Sequence, residues 1–281
     1  MSTLLLLLGC VGTPTDSTDT APTGDGAYHV QWSTDPSPPN AGSHAEITAT
    51  VIGPDGAPVK QLTLFEGAFL HTFIVPRDLS EFVHVHQEDE TDVTTDELKS
   101  ATFVYHAEFE EAGDYLIDFD FASEGRYLAE IGQVTAVGEP AEADAPTEDD
   151  ATRRVVRDVT AQLVWDVAPI AQQEAEWHLH LIHTDGKEKS EVTDLVQWGG
   201  ADAHAGMVDW ADTRFFHTHA WYPGMENAAP GDAMPSLYPG PDLPFHYTFP
   251  TAGRYRAWTQ FARVGAPDDE YTVPFDIVVG E

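Results

Sequence analysis

The sequence predicts an all-β protein made of two tandem antiparallel β-sandwich domains. The first observation is an internal repeat, because residues 65–87 return without a gap as residues 198–220. The second is that short stretches in each half alternate apolar and polar residues between turn-forming residues. Such alternation is typical of strands with one buried face, and many short strands at close spacing favour immunoglobulin-like sandwiches. A duplicated segment of this length indicates one complete domain per half.

The sequence of the first half predicts seven short strands, and the second half repeats these strands in the same order. Pro54-Asp55-Gly56 is a turn between two of them. The acidic stretch 87–100 predicts a loop, and an Ala-Gly-x-Tyr element ending at Tyr115, and again at Tyr255, is typical of a tyrosine corner. Six of the seven strands are placed in the sequence, at 28–32, 47–51, 71–75, 82–86, 103–109 and 115–121.

The N-terminal residues resemble a bacterial lipoprotein signal. Residues 1–10 contain five leucines and end in the lipobox Leu7-Leu8-Gly9-Cys10, so we expect cleavage before Cys10 and lipidation of that cysteine. Residues 11–26 are rich in Thr, Asp, Pro and Gly and predict a disordered stalk. The remaining divisions are domain 1 at 27–137, an acidic linker at 138–151 and domain 2 at 152–281. We therefore expect a lipid-anchored protein of the cell envelope, periplasmic or on the outer surface.

The charge limits the classes of partner. The 281 residues include 48 acidic and 13 basic side chains, for a formal net charge of −35. Nucleic acids and anionic membrane surfaces both require a basic face, so we expect neither as a partner and expect membrane contact through the lipid alone. The single cysteine excludes a disulfide within the chain.

Histidine is retained at matching positions of the two copies. His84 and His86 lie two apart on one strand and therefore point to the same face, about 6.6 to 7 Å apart at Cα. One histidine opens the preceding strand and another lies on a later strand, so each half predicts a site of three or four imidazole nitrogens. The predicted ligands are His71, His84, His86 and His106 in domain 1 and His204, His217, His219 and His246 in domain 2.

Imidazole ligands suit Cu(II), Zn(II) or Ni(II), and of these we expect Cu(II) or Zn(II). Further ligands are available nearby: oxygens from Glu88, Asp89 and Glu90 in domain 1, and the thioethers of Met225 and Met234 in domain 2. The alternative is that the histidines are structural, since duplication copies packing residues as faithfully as ligands. A second group, His178, His180 and His183, has no counterpart in domain 1 and predicts a solvent-facing ladder.

The repeated motifs resemble those of a known family. They are Gly67, Ala68, His71, His84, His86, Gly113 and Tyr115 in the first copy, and Gly200, Ala201, His204, His217, His219, Gly253 and Tyr255 in the second. This pattern is similar to the YtkA-like periplasmic or secreted immunoglobulin-like domains, which are often encoded beside copper-handling genes. The resemblance implies association with heavy metals and a protein partner from a metal-handling system.

The sequence thus predicts a tethered lipoprotein that binds a divalent transition metal as a buffer or carrier. We expect no enzyme, because the chain has no GxSxG, HExxH or Gly-rich phosphate-binding motif. The alternative function is a non-catalytic display or adhesion module at the cell surface, in which the histidines only pack.

Overall fold

The structure is a computed structural model that describes residues 28–65, 67–139, 151–184, 190–198, 201–211, 213–220 and 239–281. The predicted signal and lipobox with Cys10, the stalk, and residues 140–150 of the predicted linker lie outside the described residues. Met225 and Met234 lie outside them as well. In the part that is described, none of the helices has the length and apolar character needed to cross a membrane.

Domain 1 is a sandwich of two antiparallel sheets. β1, β2 and β6 form an outer sheet, and β3, β7, β4 and β5 form an inner sheet in that order, with β8 also paired to β7. The strands are β1 (His29–Asp35), β2 (Ser43–Ile52), β3 (Leu62–Thr63), β4 (Leu70–Pro76), β5 (Val83–Val85), β6 (Thr102–Phe109), β7 (Gly113–Ser123) and β8 (Arg126–Ala136). The prediction of an antiparallel β-sandwich is confirmed, with eight strands where the sequence predicted seven.

Domain 2 repeats this arrangement. β15, β11, β10 and β9 form its outer sheet, and β12, β16, β13 and β14 form its inner sheet, with β17 paired to β16. β9 is the strand without a counterpart in domain 1. The strands are β9 (Arg153–Val156), β10 (Val159–Val167), β11 (Glu174–His183), β12 (Leu195–Val196), β13 (His204–Asp209), β14 (Phe215–His219), β15 (Asp242–Thr248), β16 (Gly253–Arg263) and β17 (Ala266–Val279).

Each sandwich has its own core between its two sheets. In β6 the core-facing side chains alternate with exposed ones as predicted, and Phe103, Tyr105 and Phe109 are fully buried. The inner strands differ, because both of their faces are buried: every residue of β4 and of β14 is shielded from solvent. Strands buried on both faces must be covered on the side away from their own core.

The two inner sheets cover each other. A third apolar cluster contains Phe73 and Phe82 from domain 1 together with Phe215 and Trp258 from domain 2. The Phe73 and Phe215 rings stack with centroids 4.9 Å apart, and Phe82 stacks on Trp258 at 5.2 Å. The protein is therefore a stack of four sheets, in which the outward faces of the two inner sheets meet between the domains.

Two local expectations have different outcomes. Both tyrosine corners are confirmed, because the Tyr115 hydroxyl donates to the Glu111 carbonyl and the Tyr255 hydroxyl donates to the Thr251 carbonyl, each at 2.9 Å. The loop prediction for 87–100 is wrong in part, since it contains a turn of 3-10 helix (Gln87–Asp89) and the helix α1 (Thr95–Ser100).

Candidate metal centre

Three histidines of domain 1 meet on the outward face of the inner sheet. Leu70 and Ile74 of β4 point into the core of domain 1, so His71 between them points toward domain 2. His84 leaves the same face from β5, and His86 follows directly after that strand. All three rings are buried, with at most 6% of any residue exposed.

One nitrogen of each ring converges on a single point. His71 Nδ1 lies 3.3 Å from His84 Nε2, while His86 Nε2 lies 2.9 Å from His71 Nδ1 and 2.8 Å from His84 Nε2. Nitrogens bound to one ion at 2.0 to 2.1 Å with tetrahedral angles are about 3.3 Å apart. The three nitrogens therefore need to move outward by only a few tenths of an ångström to share one ion.

The opposite nitrogen of each ring faces an oxygen acceptor, which fixes the tautomer. These contacts are His71 Nε2 to the Phe65 carbonyl at 2.8 Å, His86 Nδ1 to Asp89 Oδ2 at 3.0 Å, and His84 Nδ1 to Gln260 Oε1 at 3.2 Å. A neutral ring that donates its proton in such an outer contact presents a lone pair at its inner nitrogen. Three inner nitrogens directed at one point could together hold a metal ion.

Domain 2 contains the equivalent group. His204, His217 and His219 are buried, and each offers a nitrogen within 4.8 Å of the other two. His204 Nδ1 lies 3.3 Å from His217 Nε2, as at the matching pair in domain 1. Its outer nitrogen contacts the Trp198 carbonyl at 2.9 Å, and Trp198 is the repeat equivalent of Phe65. We call these two groups triad 1 and triad 2.

Burial favours the neutral form, which binds metals, for two histidines of triad 1 and for all three of triad 2. Desolvation lowers the pKa of His71 and His84 in triad 1 well below the usual value, and neighbouring imidazoles lower it further. Desolvation likewise lowers the pKa of His204 and His219 well below the usual value in triad 2. It also lowers the pKa of His217, against an opposing effect of the Asp120 carboxyl.

The two triads face each other across the domain interface. The His84 and His204 ring centroids are 5.0 Å apart, and those of His71 and His217 are 5.8 Å apart. The aromatic side chain that precedes each triad packs on the other one: Phe65 lies 5.5 Å from His219, and Trp198 lies 5.2 Å from His84. The six rings thus form one continuous cluster, a relation between the domains that the repeat alone did not predict.

The structure does not bring the other two predicted ligands to the triads. His106 lies on the exposed face of β6 in the outer sheet, and its Nδ1 contacts Glu90 Oε2 at 2.9 Å. His246 lies on β15, also in an outer sheet, with its Nδ1 3.7 Å from Glu174 Oε2. Both belong to strands of the opposite sheet, whose side chains cannot reach the outward face of the inner sheet.

The acidic residues after triad 1 also have other contacts. Asp89 accepts from the outer nitrogen of His86, Glu90 holds His106, and Glu88 accepts from the Phe69 amide at 2.9 Å. None of the three is part of the group of converging ligand atoms within the described residues.

The sequence analysis missed two residues behind the triads. Asp120 Oδ2 of domain 1 lies 3.4 Å from His217 Nδ1, and Gln260 of domain 2 contacts His84. In the sequence, each of the two is a polar residue on a strand of the inner sheet. Each is paired in the sheet with the first histidine of a triad: Asp120 with His71, and Gln260 with His204.

Two of the three histidines of the predicted ladder match it, whereas His183, at the end of β11, lies beside Arg263 and Asp158. His178 Nδ1 contacts Asp166 Oδ2, and His180 Nδ1 contacts Asp242 Oδ1, each at 2.7 Å. These side chains lie on the solvent-facing side of the outer sheet of domain 2, between carboxylates rather than around a common point.

Two segments of the chain, residues 21–137 and 154–281, match the model of a family described as "Domain of unknown function (DUF8832)". The family model thus matches once in each half, as expected for a duplicated domain, and its description names neither copper nor the YtkA-like group. A search of curated proteins found no match to this chain.

Solved structures similar to the chain include a transglutaminase from red sea bream, with 8% identity, covering 90% of this chain and 31% of that one, at a TM-score of 0.23. They include Escherichia coli alpha-2-macroglobulin, with 11% identity, covering 94% and 17%, at a TM-score of 0.26. The Escherichia coli adhesin FdeC has 13% identity, with coverage of 90% and 64% and a TM-score of 0.23. The chain spans less than a third of the length of the first two, and scores this low carry no argument about function.

Proposed function

We propose that this chain, which belongs to the DUF8832 family with one copy of the domain in each half, binds two transition-metal ions, one in each triad. The observation that supports the proposal most is the convergence of three buried imidazole nitrogens on one point in triad 1. Neutral imidazoles whose outer nitrogens are held by oxygen acceptors are the usual ligands of protein-bound Zn(II) and Cu(II).

We propose Zn(II) or Cu(II) as the metal and storage or transfer, rather than catalysis, as the role. Imidazole is a borderline ligand that suits both ions, and the triads contain no thiolate. The burial of all six rings restricts the approach of a substrate to the ions. The resemblance of the motifs to YtkA-like domains supports copper and a protein partner that delivers or receives the metal.

We further propose that the protein is attached to the cell envelope through a lipid on Cys10. The support is the lipobox pattern followed by a stalk-like composition. Radiolabelled palmitate incorporated into the wild-type chain and not into Cys10→Ala tests this attachment. Equal labelling of the two proteins would contradict it.

Metal uptake by the purified protein tests the binding proposal. We expect two Zn(II) or Cu(II) ions per chain at neutral pH, measured by elemental analysis after removal of loosely bound metal. A His84→Ala/His86→Ala variant should retain one ion, and a variant that adds His217→Ala/His219→Ala should retain none.

The matched control changes histidines of the surface ladder. His178→Ala/His180→Ala removes as many imidazoles as one triad variant and should keep both ions. Folded triad variants that still take up two ions would overturn the proposal. Absence of uptake by the wild-type protein would also overturn it and would leave the display or adhesion module as the remaining function.

A further inference from the structure

We propose that each domain orients a metal ligand of the other domain, and that the carboxylate of Asp120 strengthens metal binding at triad 2 more than the amide of Gln260 strengthens it at triad 1. This inference rests on the proposed metal binding. It concerns Asp120 and Gln260, which are positioning residues because each contacts a ligand and not the ion.

The crossed contacts follow from the way the inner sheets face each other. Asp120 on β7 is paired in the sheet with His71 of its own domain, yet its Oδ2 lies 3.4 Å from Nδ1 of His217 in the other domain. Gln260 on β16 is paired with His204, and its Oε1 lies 3.2 Å from Nδ1 of His84. The two residues occupy equivalent positions of the repeat, so the same crossing occurs twice.

The two crossed contacts differ in charge. Gln260 offers a neutral amide oxygen, and its amide nitrogen is held by Thr272 Oγ1 at 3.1 Å. Asp120 offers a carboxylate oxygen that lies 3.4 Å from His217 Nδ1. This distance is long for a hydrogen bond, so the contact is mainly electrostatic. A carboxylate behind a ligating imidazole strengthens its bond to a metal more than a neutral acceptor does.

Zinc affinity measured in single-site backgrounds tests the inference. In a His86→Ala background, which leaves triad 2 as the intact site, Asp120→Asn should weaken Zn(II) binding by about tenfold, as loss of an outer partner usually does. In a His219→Ala background, which leaves triad 1, Gln260→Glu should tighten Zn(II) binding by about tenfold. Competition with a chelator of known affinity measures both changes.

Asp114→Asn is the matched control, because it makes the same chemical change on the same strand, at an exposed residue whose carboxylate contacts Thr135. It should leave both affinities within about twofold, as expected for a residue without a contact to a ligand. The gain of affinity in Gln260→Glu is the decisive readout, since damage to the fold cannot tighten a site.

The inference fails if Asp120→Asn acts on triad 1 instead of triad 2, or if neither substitution changes the site in the other domain. A wild-type protein that takes up no Zn(II) would instead refute the proposed function itself. The two failures are therefore distinguishable in the same set of titrations.

Discussion

At the scale of single residues, the outer nitrogen contacts decide what the histidines can do. A histidine whose second nitrogen is held by an oxygen has one tautomer and one orientation, and its other nitrogen is available as a ligand. Triad 1 uses a backbone carbonyl, an amide and a carboxylate for this purpose. Each of these contacts is a position at which metal affinity can be changed without removing a ligand.

Asp89→Asn should weaken Zn(II) binding at triad 1 by about tenfold to a hundredfold, because it removes the charge that holds Nδ1 of His86. Chelator competition measures the change. Glu90→Gln is the control, since the adjacent Glu90 holds His106 instead. Equal weakening by both substitutions would show that loop charge in general, and not the contact with His86, sets the affinity.

The metal-free protein should lose stability as the pH falls below about 6.5. The lowered pKa values of the triad histidines mean that the unfolded chain binds protons that the folded chain does not bind in this range. The free energy of unfolding should therefore decrease as the pH falls, by at most about 1.4 kcal/mol per pH unit for each such histidine. Above about pH 6.5, these histidines should not change the free energy of unfolding.

Urea unfolding of metal-free protein between pH 5 and pH 8 measures this dependence. The variant that lacks His84, His86, His217 and His219 should show a shallower slope, because fewer neutral histidines are buried. An unchanged slope would contradict the assignment of the acid sensitivity to the triads.

At the scale of elements, β13 packs tightly against domain 1. Gly206 lies on the face of this strand that points to domain 1, and a Cβ atom placed on it would be 2.4 Å from the Phe82 ring. The repeat equivalent of Gly206 is Phe73, so one copy supplies the aromatic ring and the other supplies the space. Because the two copies differ at this position, with a ring in one and a glycine in the other, two equivalent sheet faces can pack without a clash.

Gly206→Ala should destabilise the protein by about 1 to 3 kcal/mol, the usual cost of overpacking a filled interior. Thermal unfolding should show the loss as a lower midpoint. Gly280→Ala is the control, because a Cβ there would meet its nearest atom at 3.6 Å, an ordinary contact. Similar midpoints for the two variants would indicate that the interface yields around Phe82 at little cost.

At the scale of the whole molecule, the two triads lie at the interface between two domains that each have a separate core. The aromatic cluster and the six histidines occupy the same interface, so ion binding and domain packing depend on one arrangement of the inner sheets. A ligand that binds only the folded arrangement stabilises it in proportion to its affinity and concentration.

Zn(II) should therefore raise the thermal unfolding midpoint of the wild-type protein. Free Zn(II) at a hundred times the dissociation constant stabilises the fold by about 2.7 kcal/mol for each site. The variant that lacks His84, His86, His217 and His219 should show no shift, whereas the His178→Ala/His180→Ala control should respond as the wild type does. A shift of equal size in all three proteins would indicate binding to the acidic surface.

Local sequence patterns were sufficient to predict the strands, the tyrosine corners and the three histidines that meet in each domain. One local pattern was overlooked: Thr94 and Glu97 form a capping box that starts α1, and the spacing of these residues is visible in the sequence. His106 and His246 were grouped with the triads because their position in the repeat matches, but periodicity does not reveal which sheet a strand joins.

The sequence by itself determined the duplication, the β-sandwich class and the pairing of histidines two apart, because these depend on spacing along one strand or on comparison of the two halves. The tertiary structure alone decided that the two triads meet, and that Asp120 and Gln260 reach across to the other domain. These contacts join strands far apart in the chain, and they depend on how two sheet faces pack, which no spacing within either half encodes.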